Sequence, residues 1–541
     1  MKLKITLFLI VLLASVLRLW QLDKYPAGFN ADEASIGYNA FSLIQTGKDE
    51  YGNSWPFVFK SFGDYKPGLY FYFALPFVAT LGLNEWAVRL PSAIFGIGTV
   101  LLIYFLAKEI FKSKLIGILA SLLLSINPWS LHFSRGGFES NAATFFISLG
   151  ILFFIKGLNN RIKLFWSLVS LLASMYVYQS PRLIVPVLLV TLFLIYRQKI
   201  FSGVKIKEKN LVLYLGLLIF LVIPLGIQFI SGQGSARFQG LSFLADTGPE
   251  SRVNELRGED PNSWWARLLH NKITAYGPAF LGHYLDHFKP DFLFINGDEV
   301  ARNKVPETGE FFLIESIFMI FGLIALAKNN FQYTKLLIAW VLIAPLASSI
   351  TFQTPSALRS LNMVVPLTLI MANGLWFMVY GLRKRWRVIL ITVISFGILF
   401  ESIHYLESYY IHYPKRYPLA FEYGFSKMVE KLNLYEPQYA RVVITDRFDQ
   451  PYILVLFYKK YDPRKYQPEA KLTERDKFNF GTVRSFDKYE FRSIEPKEVN
   501  RGIETLFIGT SQEIPKDATI FDEVNFPNGE PAFIFARGGI D

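Results

Sequence analysis

The sequence predicts a polytopic α-helical membrane protein with about eleven transmembrane helices and a C-terminal soluble α/β domain. Three observations carry this. Of the 541 residues, 52% are hydrophobic and the mean hydropathy is +0.29, more apolar than a soluble chain of this length. Apolar runs long enough to cross a bilayer recur along the chain. The basic residues behind the net charge of +12 sit mostly in short clusters between those runs. This arrangement orients helices in a membrane rather than binding nucleic acid. There is no cysteine, which excludes disulfides, thiolate metal sites and cysteine nucleophiles.

The elements follow in order. Lys2 and Lys4 precede an apolar run from Ile5 to about Trp20. A cleaved signal peptide begins the same way. No small-x-small cleavage site precedes the first polar loop, and Arg18 and Trp20 suit the far interface of an uncut helix, so this run is read as the first span. The others lie near 90–107, 115–131, 139–155, 164–180, 182–196, 211–230, 311–327, 335–351, 360–380 and 387–405. With a cytoplasmic N-terminus, the inner loops collect Lys108, Lys112 and Lys114; Lys156, Arg161 and Lys163; Lys205 and Lys207; and Arg383, Lys384 and Arg385. The short outer loops hold few basic residues, as the positive-inside rule requires. The stretch Leu69 to Leu83 is short and contains Pro76. It is read as an interfacial or re-entrant helix, since counting it as a span would reverse every later loop.

The reading gives a transmembrane domain over 1–405, with long outer loops at 23–89 and 231–310, and an extracytoplasmic domain over 406–541. In the tail, the segment from Tyr439 to Tyr458 predicts a strand followed by a helix or second strand. LFIGT near Leu506 and AFIFAR near Ala532 predict further strands.

The first outer loop is richest in candidate chemistry. Asp32 and Glu33 open a predicted helix, Ala34 to Gln45, that ends at Gly47. Acidic residues in a first turn suit the helix dipole; a carboxylate just above the bilayer can also deprotonate an acceptor hydroxyl. Displacing a phosphate-linked leaving group with inversion needs one base, not a nucleophile pair. Lys66 precedes the interfacial stretch, where it suits a lipid phosphate or simply snorkels. Asp64 is a second acid or a turn former. Arg135 and Glu139 stand at the mouth of a later hairpin. The arginine could clamp a phosphate, or the two could form an i,i+4 pair. Arg359 lies on the outer side against the charge trend, so an anionic partner is expected there: a lipid-linked phosphate or a headgroup. His283 and His287 have an i,i+4 spacing that can bind a metal, but no HExxH glutamate accompanies them. Packing and hydrogen bonding are the plainer expectation, and a divalent metal is not required.

In order, PAGFNADEASIGYNA, DYKPGLY, EWAVRLPSAIFG and NPWSLHFSR resemble the protein O-mannosyltransferase superfamily of C-type membrane glycosyltransferases, including the aminoarabinose transferases of bacteria. The resemblance covers about residues 1–410 and is strongest in the first 140. It implies a polyprenyl-phosphate sugar donor, inversion at the anomeric carbon, and a protein, lipid or glycan acceptor. It implies that Asp32 is the catalytic acid of the first outer loop, with Glu33 as its neighbour. Lys66 matches a lysine that contacts the carrier phosphate, and Arg135, Glu139 and Arg359 match further polar positions. Two departures stand out: Tyr65 replaces the glutamate before that lysine, and Ser35 replaces the arginine after the DEA motif.

Two other classes share some of these features. A flippase of lipid-linked glycans would use the phosphate-binding cations without a base, but the inverted repeats expected of many transporters are not evident. An oligosaccharide ligase or glycan polymerase is the other; Trp264 and Trp265 stand in SWWAR, not in a WWDYG pattern.

Overall fold

A computed structural model of the chain describes residues 2–201, 208–230, 242–243, 248–260, 264–329, 331–474, 480–499 and 504–537. Lys205, Lys207 and parts of the expected loop 231–310 lie outside them. Each of the eleven expected runs falls largely within a helical stretch. Among the described residues, five helices are long and apolar enough to cross a membrane: Glu85–Phe111, Glu139–Gly157, Pro181–Ile200, Ala357–Tyr380 and Lys384–Arg416. A sixth candidate is the pair Lys114–Ile126 and Pro128–Arg135, bent by 55°. The bend falls at Pro128, which cannot donate into the helix. Leu69–Leu81 forms a separate apolar helix of 13 residues, too short to span.

Two compact units divide the chain. The first comprises Met1–Leu17, Phe95–Phe133 and Glu139–Tyr405. Its helices pack through small residues, as lipid-embedded helices do when nothing but close contact holds them. A Cβ on Gly322 would stand 2.2 Å from Ile370 O, and one on Gly374 2.0 Å from Phe318 O. Only glycine lets the helices Glu315–Lys328 and Val364–Tyr380 approach so closely.

The second unit comprises Arg18–Ile94, Ser134–Phe138 and Leu406–Asp541. The tail contributes a six-stranded sheet in the order β4-β5-β3-β6-β8-β7. Its strands are β3 (Arg441–Ile444), β4 (Ser485–Phe486), β5 (Tyr489–Phe491), β6 (Thr505–Gly509), β7 (Thr519–Asn525) and β8 (Pro531–Arg537). β3 runs parallel to β5 and β6; the other pairings are antiparallel. The predicted strands at Leu506 and Ala532 are β6 and β8. The Tyr439–Tyr458 segment is β3 followed by the helix Pro451–Lys459.

Against that helix packs the predicted loop helix, which extends over Ala31–Thr46 and ends at Gly47 with φ +69°. A Cβ on Gly37 would stand 2.5 Å from the Phe457 ring and 2.7 Å from Val88. A hairpin of β1 (Val58–Ser61) and β2 (Asp64–Pro67) follows in sequence.

Candidate active site

The start of helix Ala31–Thr46 is fixed by a capping box. Asn30 Oδ1 accepts from Glu33 N at 3.0 Å, and Glu33 Oε2 accepts from Asn30 N at 3.3 Å. Glu33 does more than cap. Arg89 donates to it twice, Nε to Oε1 at 2.8 Å and Nη2 to Oε2 at 3.1 Å. Gly137 N adds a third donor at 2.8 Å. Arg89 also donates to the carbonyls of Leu22, Pro26 and Gly28, at 3.0, 3.1 and 2.6 Å. The side chains are 1% and 0% exposed. A buried pair is tolerable only when the remaining lone pairs and protons are matched, and here several neighbouring groups match them. Glu33 and Arg89 tie three separated segments of this unit together.

Asp32, one residue earlier, is 43% exposed and forms an ion pair with Lys66, which is only 8% exposed. Lys66 is held in β2 opposite Phe59 of β1, with its ammonium 5.6 Å from the centre of the Phe62 ring. Ser35 Oγ and Ser61 Oγ lie 3.1 Å apart and tie helix to hairpin a second time. Two residues expected from sequence as base and phosphate ligand therefore meet, on a rigid helix start and a short strand. Asp64 is buried beside them in β2, its carboxylate accepting from Tyr65 N at 2.8 Å.

Sequence reasoning passed over Glu50. It is buried; its Oε1 accepts from Asn39 Nδ2 at 2.9 Å, and Tyr452 OH reaches its Oε2 at 3.5 Å. Burial pushes its carboxyl up to about 8; the Asn39 bond and the Lys66 charge oppose the rise. Arg89 was also passed over as a site residue, although an arginine at the edge of an apolar run calls for an anionic partner, the argument already applied to Arg359.

The remaining expected residues take other places. The Arg135 guanidinium is buried and stacked 5.4 Å from the rings of Tyr409 and Tyr410. It donates from Nε to Tyr409 OH at 3.2 Å and from Nη2 to Trp20 O at 2.7 Å. That geometry fixes the chain after the first helix rather than offering the charge to a ligand. Glu139 belongs to the other unit, in the first turn of Glu139–Gly157, where a carboxylate suits the dipole.

Arg359 is also in that unit, half-buried, donating to Thr351 Oγ1 at 3.3 Å and Gln353 O at 3.4 Å. Asp298 caps the same segment, accepting from Ala357 N at 2.7 Å; burial raises its carboxyl, and the Arg359 charge partly opposes this.

His287 has both ring nitrogens engaged. Nε2 accepts from Ser356 N at 3.2 Å, so Nδ1 carries the proton and donates to His283 O at 2.9 Å. Burial pushes its pKa down to about 4, which keeps it neutral. His283 packs edge-on against Phe243 at 5.3 Å. Among the described residues, no group of three or more acidic, histidine or cysteine side chains could hold a metal ion.

With this geometry in place, comparison with known proteins gives a family match over part of the chain and a similar fold. Residues 65–227 match the family model of the dolichyl-phosphate-mannose-protein mannosyltransferases, a little under a third of the chain. The fold is similar to that of ArnT from Cupriavidus metallidurans bound to undecaprenyl phosphate. The TM-score is 0.53 and the identity 11%, over 99% of each chain. The archaeal oligosaccharyltransferase AglB from Archaeoglobus fulgidus, in complex with an inhibitory peptide and a dolichol-phosphate, matches at TM-score 0.47 and 13% identity. That match covers 84% of this chain and 63% of that one. No curated protein matches the sequence. The chain thus has a multi-pass helical fold similar to that of ArnT. The resemblance read from its motifs is borne out.

Proposed function

We propose that the chain is an inverting glycosyltransferase that takes a sugar, mannose-like hexose or similar, from a polyprenyl-phosphate carrier and passes it to an acceptor on the outer face of the membrane. One observation carries the assignment of roles: the ion pair of half-exposed Asp32 with nearly buried Lys66, set beside a Glu33 consumed by the scaffold. The family match over 65–227 and the undecaprenyl phosphate bound to a protein of similar fold support the donor class.

Asp32 takes the proton of an acceptor hydroxyl as its oxygen attacks the anomeric carbon. The bond from that carbon to the phosphate oxygen breaks, and the polyprenyl phosphate leaves with the electron pair. Lys66, a compact cation with three donors, balances the charge growing on that phosphate. Such fixed charge is commonly the largest catalytic contribution. Its resting pairing with Asp32 holds the carboxylate in place until the phosphate competes for the ammonium. Arg359, in the first unit, is the other cation proposed to hold a phosphate, whose charge-assisted bonds are stronger than those to neutral acceptors. Arg135 and Glu33 are assigned to the scaffold, with Glu139, His283 and His287.

The basic inner loops support a cytoplasmic N-terminus and about eleven spans, with Asp32 and the tail outside. The division at residue 405 separates membrane helices from the extracytoplasmic domain in this reading.

The test is transfer of labelled sugar from synthetic polyprenyl-phosphate hexoses to cell-envelope extracts by the purified chain. Transfer by wild type, lost in Asp32→Asn, supports the reading. Binding of the lipid without transfer to any product, across the hexose panel, contradicts it.

A further inference from the structure

The second unit contains an open cleft of about 850 Å³, too large to be a packing defect and of the size of a ligand site. Its walls come from the chain just before helix Ala31–Thr46, from the helical stretch at residues 410–415 and from the turn and helix start at 422–427. Four half-buried tyrosines, Tyr25, Tyr410, Tyr423 and Tyr458, line it. Three lysines (Lys24, Lys415, Lys427) face three acids (Asp23, Glu85, Glu422) around it, so its formal charges cancel.

The walls are fixed. Tyr25 and Tyr410 meet edge to face at 4.8 Å. Tyr458 OH donates to Glu85 Oε1 at 2.9 Å. At the floor, Gly28 has φ +99°, and a Cβ there would fall 2.1 Å from Phe421 O. Gly28 O is itself held by Arg89 at 2.6 Å, and Arg89 holds Glu33. The cleft floor and the residue next to Asp32 thus share one anchor. Asp32 is four positions after Gly28, so their Cα atoms lie no more than about 14 Å apart.

This lining selects among ligand classes. An acyl chain would bury six charged side chains against hydrocarbon. A peptide that adds as a strand needs a free strand edge, and the lining is built from turns and helix ends. A strongly anionic polymer would need an excess of cations. Aromatic faces mixed with donors and acceptors of zero net charge suit a neutral saccharide. Its C–H faces lie on the rings, and its hydroxyls, donor and acceptor at once, bond to both amines and carboxylates. We infer that the cleft lined by Tyr25, Tyr410, Tyr423 and Tyr458 binds the acceptor as a neutral glycan, at the anchor that positions Asp32. The inference rests on the transferase reading for the word acceptor; the cleft's affinity for saccharide is a separate property.

The experiment keeps the two apart. The purified full-length chain in detergent micelles is titrated with mannotriose, maltotriose and chitotriose, following tyrosine and tryptophan fluorescence, and with a serine- and threonine-rich peptide as the competing class. Wild type, Asp32→Asn, Tyr423→Ala and Ser426→Trp are compared after their melting temperatures are matched; Ser426 is exposed on the cleft wall. The expected result is saturable binding of at least one trisaccharide, equal in wild type and Asp32→Asn, and at least tenfold weaker in both cleft variants. No trisaccharide binding, binding indifferent to the cleft variants, or cleft-dependent binding of the peptide alone would each overturn the inference. A failure of the transferase reading instead appears as saccharide binding with no sugar transfer by wild type.

Discussion

Asp32 and Glu33 are consecutive carboxylates in the first turn of one helix, and their surroundings differ in almost every respect. Glu33 is 1% exposed and receives donors from Arg89, Gly137 and Asn30. Asp32 is 43% exposed and meets the ammonium of Lys66. In a helix, neighbours point about 100° apart, so a pair of like residues can face the scaffold with one member and the site with the other. The comparison teaches that chemistry needs a group whose bonds can be exchanged. A carboxylate whose oxygens are held by buried donors has no place for an incoming proton or hydroxyl. One partly in solvent beside the Lys66 ammonium has both.

The two pairs also differ in energy. Removing one partner of a buried ion pair leaves an uncompensated charge and costs about 3–5 kcal/mol. A pair with one partner 43% exposed is screened by solvent and contributes less, toward the about 0–1 kcal/mol of surface pairs. Arg89→Ala is therefore expected to lower stability by about 3–5 kcal/mol, read as a large fall in the melting temperature of the detergent-purified chain. A loss below about 1 kcal/mol would erase the contrast. Next in size is Lys66→Met. Losing a charged hydrogen bond of about 1.5–3 kcal/mol should lower kcat/KM for the polyprenyl-phosphate donor by about 10–150-fold, with little change in melting temperature.

Glu50 sharpens the comparison as a third acid of the same loop, buried without an arginine. Its carboxyl titrates at about 8 rather than the ordinary 4.5, so the folded chain holds this proton more tightly than the unfolded chain. The stability it confers is present at low pH and declines as pH rises from about 4.5 through 8, by at most about 1.4 kcal/mol per pH unit. Glu50→Gln should remove that part of the slope, seen as the difference between wild-type and variant unfolding across pH 5–8. Smallest is Asn30→Ala, which removes the cap shared by both acids and should cost about 1 kcal/mol on the same scale.

Local signals carried much of this to the reader of the sequence alone. The helix behind Asp32 was legible from its acidic start and its stop at Gly47. The strands at Leu506 and Ala532 were legible from their apolar β-branched and aromatic character. Asp32 and Lys66 were each legible as chemistry, from position and from family resemblance, but not as partners, because their contact joins a helix to a hairpin 34 residues on. The same limit hid the division between Asp32 and Glu33: what consumes Glu33 is Arg89, 56 residues away, and Gly137, 104 away. Arg135 misled for the opposite reason. An arginine near a membrane surface suits a phosphate, but here its Nε and Nη2 donate to phenol and carbonyl oxygens of its own unit. Glu50 has no local mark at all, since one of its partners, Tyr452, is 402 residues distant.

The division of labour between the two neighbours is tested most directly by measuring turnover and melting temperature side by side for Asp32→Asn and Glu33→Gln, each nearly isosteric. Asp32→Asn is expected to lose about 10²–10⁴-fold in turnover, the usual worth of a general base, while melting close to wild type. Glu33→Gln is expected to melt well below wild type. Near-normal turnover in Asp32→Asn, or a Glu33→Gln variant that is stable yet inactive, would contradict the account and move the base to Glu33 or elsewhere.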